Sequence, residues 1–134
     1  MGAIGTYLQN ALLSGTLKNS NYSSVTTVYI GLHTANPTSS TATALSNEVS
    51  GNAYVREAAA WGSVSGGSVS TNATITWPQA SPSGWGTVSY ISIWDGSTLG
   101  AGNLLYYGAL GSSVTVNATD QVSILSGNLT VTLS

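Results

Sequence analysis

Lys18, Arg56, Glu48, Glu57, Asp95 and Asp120 are the only charged side chains in a chain of 134 residues. They make up 4% of it, against about 25% in an ordinary globular protein. Polarity has to come from Ser, Thr, Asn and Gly. Hydroxyls and amides satisfy hydrogen bonds without the desolvation penalty of a buried ion, so a neighbouring molecule covers such a surface at low cost. A net charge of −2 also leaves copies of the chain little mutual repulsion. The composition is that of a protein made to be assembled.

The same feature excludes whole classes of partner. No basic patch exists to neutralise phosphates, so nucleic acid is not expected. A polybasic anchor and a membrane-spanning stretch are both missing, so no membrane partner is expected. With no cysteine there are no disulfides and no thiolate metal sites. The first residues lack the basic start and long apolar run of a signal peptide.

Along the chain one helix and many strands are expected. Ile4, Tyr7, Leu8, Ala11 and Leu12 follow the i, i+3, i+4, i+7, i+8 rule and predict an amphipathic helix over about 3–15, with Gly15 as its stop. Val28, Ile30 and Leu32 alternate with Tyr29, Gly31 and His33 as in a half-buried strand. Asn36 to Asn47, rich in Thr, Ser and Ala, predicts an exposed loop or arm. Further strands are expected at about 53–60, 73–77, 87–94, 104–110 and 114–116. In the 87–94 strand, Val88 and Tyr90 should face one side and Ser89, Ile91 and Ile93 the other. Residues 121–125 and 129–133 should close the chain as a hairpin around Ser126, Gly127 and Asn128. About eight short strands separated by turns give an all-β fold, a β-sandwich or jelly roll forming a single domain over 1–134.

Catalytic chemistry has little to work with. One histidine, four carboxylates, one lysine and one arginine are available. His33 with an aspartate and a serine composes a triad only on paper, without a nucleophile-elbow motif. It reads as a polar residue at a strand end. Glu48 and Glu57 form a glycosidase pair only if their separation allows it. Arg56 beside Glu57 points instead to an ion pair, placed between subunits because a chain with few charges uses them for register. Asp95 and Asp120 sit at turns, where Asp bonds the local backbone. The glycines from Gly96 to Gly102 are followed by neither lysine nor helix, so they cradle no phosphate. No catalytic residue, metal or cofactor is expected, and the chain reads as no enzyme.

Four tryptophans and seven tyrosines occur without one phenylalanine. Aromatics with a polar handle are enriched at interfaces and stack on sugars. Trp77 and Trp94, at strand ends, are expected in the core. Trp85, in a loop between glycines, is expected at an interface or a ligand.

The order of several motifs resembles a known group. A short helix is followed by Val28 to Thr38, then Glu48 to Arg56, then Ile75-Thr76-Trp77-Pro78. Trp85 to Asp95, Gly102 to Leu110 and Leu129 to Leu133 follow. This arrangement resembles the small virion structural proteins of tailed bacteriophages, and it covers nearly the whole chain. The resemblance implies a non-enzymatic virion protein. The reading placed first is a capsid decoration or cement protein on the capsid surface, bridging the major capsid protein and other copies of itself as a trimer. The alternative is a tail fibre or receptor-binding component that meets tail proteins or host glycans. Either way, contacts are expected at Tyr7, Leu8 and Leu12 of the helix, at the arm, at Arg56 and Glu57, and at Trp85.

Overall fold

The computed structural model describes residues 3–37 and 47–133. The described residues form nine strands and one helix: β1 (Ala3–Ile4), α1 (Thr6–Leu17), β2 (Val28–His33), β3 (Glu57–Ala59), β4 (Ser68–Ser70), β5 (Ile75–Thr76), β6 (Gly86–Trp94), β7 (Leu104–Val116), β8 (Ser123–Ile124) and β9 (Thr130–Thr132). The fold is all-β apart from α1. An antiparallel sheet of order β1-β7-β6-β2-β3 faces two small sheets, β4-β9 and β5-β8.

Register decides which side chains meet. β2 and β6 pair Ile30 with Ile93 and Leu32 with Ile91. Because side chains alternate along a strand, these four share one face of the large sheet, and Gly31, His33, Ser92 and Trp94 share the other. The first face joins Ile75 and Val131 of the small sheets, and Trp77 and Leu129 next to their strands, in one buried cluster. Leu8, Trp94 and Leu104 are buried as well but stand outside that cluster, and α1 packs against β7.

Several expectations give way for local reasons. The helix begins at Thr6, later than expected, because Ala3 and Ile4 pair with Tyr107 and Tyr106 as β1. The Gly5 N–H then donates to the Leu105 carbonyl at 2.7 Å. A Cβ on Gly5 would collide with the Leu104 carbonyl, so only glycine fits this bend. At its other end the helix runs past Gly15 to Leu17.

The alternation expected in β6 fails at a bulge. Val88 pairs with Val114 and Tyr90 with Ala109, so Ser89 stands opposite residues 110–113. A bulge resets which face the following residues point to, and Val88, Ile91 and Ile93 all enter the core. On the partner strand, the two segments expected at 104–110 and 114–116 are one continuous β7. The terminal hairpin does not form. β8 pairs with β5 and β9 with β4, so residues 123–124 and 130–132 belong to different sheets. The expected strand over 53–60 shortens to β3, because Gly51, Asn52 and Ala53 all have positive φ and turn the chain just before it.

The expected arm lies for the most part outside the described residues. Its two ends meet: the Asn47 side-chain amide donates to the Asn36 carbonyl at 3.2 Å. No helix among the described residues is long and apolar enough to cross a membrane.

Candidate functional site

Where β3 ends its pairing with β2, the edge of β2 is continued by other groups. His33 bridges to Glu48, Val49 N–H donates to the Leu32 carbonyl at 3.0 Å, and Leu32 N–H donates to the Tyr54 hydroxyl at 2.8 Å. This short bridge holds Glu48 inward. Two residues after Tyr54, Arg56 points inward too, and the guanidinium meets the carboxylate side by side. Nη2 lies 2.8 Å from Oε1 and Nε 2.9 Å from Oε2. Both side chains are 0% exposed. Tyr54 completes the carboxylate's shell by donating its hydroxyl to Oε2 at 2.9 Å.

The remaining face of Arg56 fastens a loop. Nη1 donates to the carbonyls of Gly96, Thr98 and Ala101 at 3.1, 3.0 and 2.9 Å. The guanidinium carbon lies 3.8 Å from the centroid of the Trp94 ring, a cation–π contact strengthened by the burial of both side chains. Asp95 closes the loop from within. Its Oδ1 accepts the Asn103 backbone N–H at 2.6 Å and Oδ2 accepts the Asn103 side-chain amide at 2.8 Å. Next to this, Ser92 Oγ accepts the Trp94 Nε1–H at 2.7 Å and stands 2.7 Å from His33 Nε2.

The electrostatics follow from burial. Desolvation, reinforced by the Glu48 charge, pushes the Tyr54 phenol far above its ordinary value of 10.0, so Tyr54 stays a hydrogen-bond donor. Desolvation also raises the Glu57 carboxyl above its ordinary range.

The cluster is a fastener. His33 and Ser92 are adjacent, but both are 0% exposed, and a substrate cannot approach a hydroxyl enclosed on every side. Among the described residues no three His, Asp or Glu side chains come together as a metal site. A buried ion pair of this kind adds little net stability over an apolar replacement, while loss of one partner is costly. Its product here is position: β2, β3, β6 and the 95–103 loop are locked to one another.

The residues expected to make contacts are scattered by the fold. The pair expected between Arg56 and Glu57 of neighbouring subunits is replaced by one within the chain, Arg56 with Glu48. Glu57 is half-buried on β3, apart from that pair. Trp85 is 6% exposed, which corrects its placement at the surface. Its ring meets Tyr54 edge-on at 5.3 Å and its Nε1–H donates to the Asn52 carbonyl at 2.9 Å. Leu8 is buried inside the chain and Leu12 half-buried, leaving Tyr7 exposed. Trp77 enters the core cluster, whereas Trp94 is buried on the reverse face. Asp95 and Asp120 do bond the local backbone, Asp120 Oδ2 accepting the Asn117 N–H at 2.9 Å.

Two surface features were not anticipated. Leu13 and Leu17 of α1 are 58% and 76% exposed. Their i, i+4 spacing marks a second apolar stripe beside that of Ile4, Tyr7, Leu8, Ala11 and Leu12. An apolar hollow of about 280 Å³ opens between Val28, Trp61, Val69, Tyr106 and Val131. Nothing in the linear pattern brings those residues together.

A family model matches residues 3–132: that of the podophage GP4 fiber I protein gp80. No curated protein matches the sequence. The match leaves out only the first two and last two residues, in keeping with the motif order that resembled tailed-phage virion proteins. The chain belongs to the podophage GP4 fiber I protein gp80 family, and so to the structural proteins of the tailed-phage virion.

Proposed function

We propose that this chain is a non-enzymatic structural component of the virion's tail fibre, held among its neighbours by uncharged surfaces. The family match over residues 3–132 carries the reading, because the protein that names the family is a fibre protein. It favours the fibre over a capsid-decoration role. Composition supports assembly in either location: Ser-, Thr- and Asn-rich surfaces are covered by neighbours at low cost. The partners are other copies of the chain and adjoining tail proteins.

Contact with host glycans is the weaker part of this reading, since the tryptophan expected to stack on a sugar is enclosed and its N–H is already used. Antibody raised against the purified chain and applied to intact virions tests the location. Gold label on fibres at the tail supports the proposal. Label spread over the head overturns it.

A further inference from the structure

The exposed leucines of α1 and the apolar hollow are complementary surfaces that share no residue. Leu13 and Leu17 stand one turn apart on the same side of the helix. A solvent-facing helix normally carries charge on that side, yet Thr6–Leu17 contains none. The hollow between Val28, Trp61, Val69, Tyr106 and Val131 continues into a second one of about 190 Å³, shared by Val64, Val69, Tyr106 and Val131. Val64 stands beside both and is 74% exposed. A cavity of about 150 Å³ with apolar walls takes up benzene. The larger hollow, at about 280 Å³, therefore has room for two leucine side chains.

We propose that the C-terminal half of α1 in one copy, through Leu13 and Leu17, seats in the Trp61–Tyr106 hollow of the next copy. The proposal rests on the reading of the chain as an assembled fibre component and names the surfaces it would use. Because knob and hole are different patches, the contact is head-to-tail: an open assembly keeps one free knob at one end and one free hole at the other, and grows until the two ends meet in a ring or runs on as a filament. The hollow's lining holds no charged side chain, and Lys18, next to Leu17 at the helix end, is the one charge beside the knob, so copies meet without like-charge repulsion. Each contact is small, and repetition makes the array stable.

Sedimentation velocity of the purified chain over a concentration series tests the contact, with circular dichroism confirming that each variant keeps its strand signal. The wild-type chain should form species larger than the monomer. Leu17→Asp, which spoils the knob, and Val64→Asp, which spoils the hole, should each lose them. An equimolar mixture of the two should recover dimers and nothing longer, because the intact knob of one meets the intact hole of the other. If either variant loses its fold, Leu13→Asp replaces the first, and Leu133→Asp, in the lining of the adjoining hollow of about 190 Å³, replaces the second. A wild-type chain that stays monomeric, a single variant that still assembles, or a mixture that stays monomeric overturns the contact. The fibre location is measured separately on virions and can stand if this contact fails.

Discussion

Arg56 and Glu48 form a side-by-side ion pair with Nη2 and Oε1 2.8 Å apart and both side chains fully buried. Removing one member leaves the other as an uncompensated buried charge. Arg56→Ala or Glu48→Ala should therefore lower stability by about 3–5 kcal/mol, measured by urea unfolding. Replacing both with apolar residues of similar volume should cost clearly less than the sum of the single losses. Arg56→Ala should also free the 95–103 loop, seen as faster amide exchange there, because three of its carbonyls lose their donor.

Tyr54 makes stability depend on alkaline pH. Its phenol ionises near 10.0 in the unfolded chain and far above that in the folded one. A raised folded value means the contribution is fully present below pH 10 and declines as pH rises further. Above that point the folded state should lose about 1.4 kcal/mol per pH unit through this group. Tyr54→Phe should show a shallower decline. It should also cost about 1–3 kcal/mol at neutral pH, since the Leu32 N–H loses its acceptor. Urea unfolding of both proteins between pH 8 and 11 measures the difference.

Gly31 is held to glycine by neighbours. A Cβ there would come within 2.6 Å of Ser92 Oγ, 2.8 Å of Glu48 Oε2 and 3.1 Å of Trp94 Nε1. Each of these atoms is fixed by its own hydrogen bonds. Gly31→Ala should destabilise by about 1–3 kcal/mol through overpacking, read as a lowered melting temperature.

Trp85 should behave as a packing residue. Trp85→Phe loses one hydrogen bond to Asn52 and should cost about 1 kcal/mol. Trp85→Ala opens a cavity and should cost about 3–5 kcal/mol. Thermal melts of both variants check the order. A stable Trp85→Ala protein that had lost only binding to host cells would contradict the buried placement.

Legibility in the sequence followed the range of the interactions. Alternation in β2 depends on neighbouring residues, and Val28 to His33 was readable as a strand. The 110–113 bulge depends on how β7 runs beside β6, and the side assigned to Val88 failed there. The pairings of β8 with β5 and β9 with β4 link residues 47 to 64 positions apart, and a nearby turn around Gly127 points to a hairpin instead. Arg56 reads as a paired charge, but adjacency in sequence points to Glu57. In a strand, neighbours face opposite ways, so the true partner lay on the bridge that holds Glu48. Trp85 misled because a tryptophan between glycines looks exposed, whereas Asn52 and Tyr54 come from another part of the chain to cover it.

The most direct measurement of the proposed fibre role is a cryo-EM map of the virion that contains this chain. The β1-β7-β6-β2-β3 sheet with α1 beside β7 should fit density in the fibre at the tail. Density for this fold repeated across the capsid surface, with none in the fibre, would contradict the account.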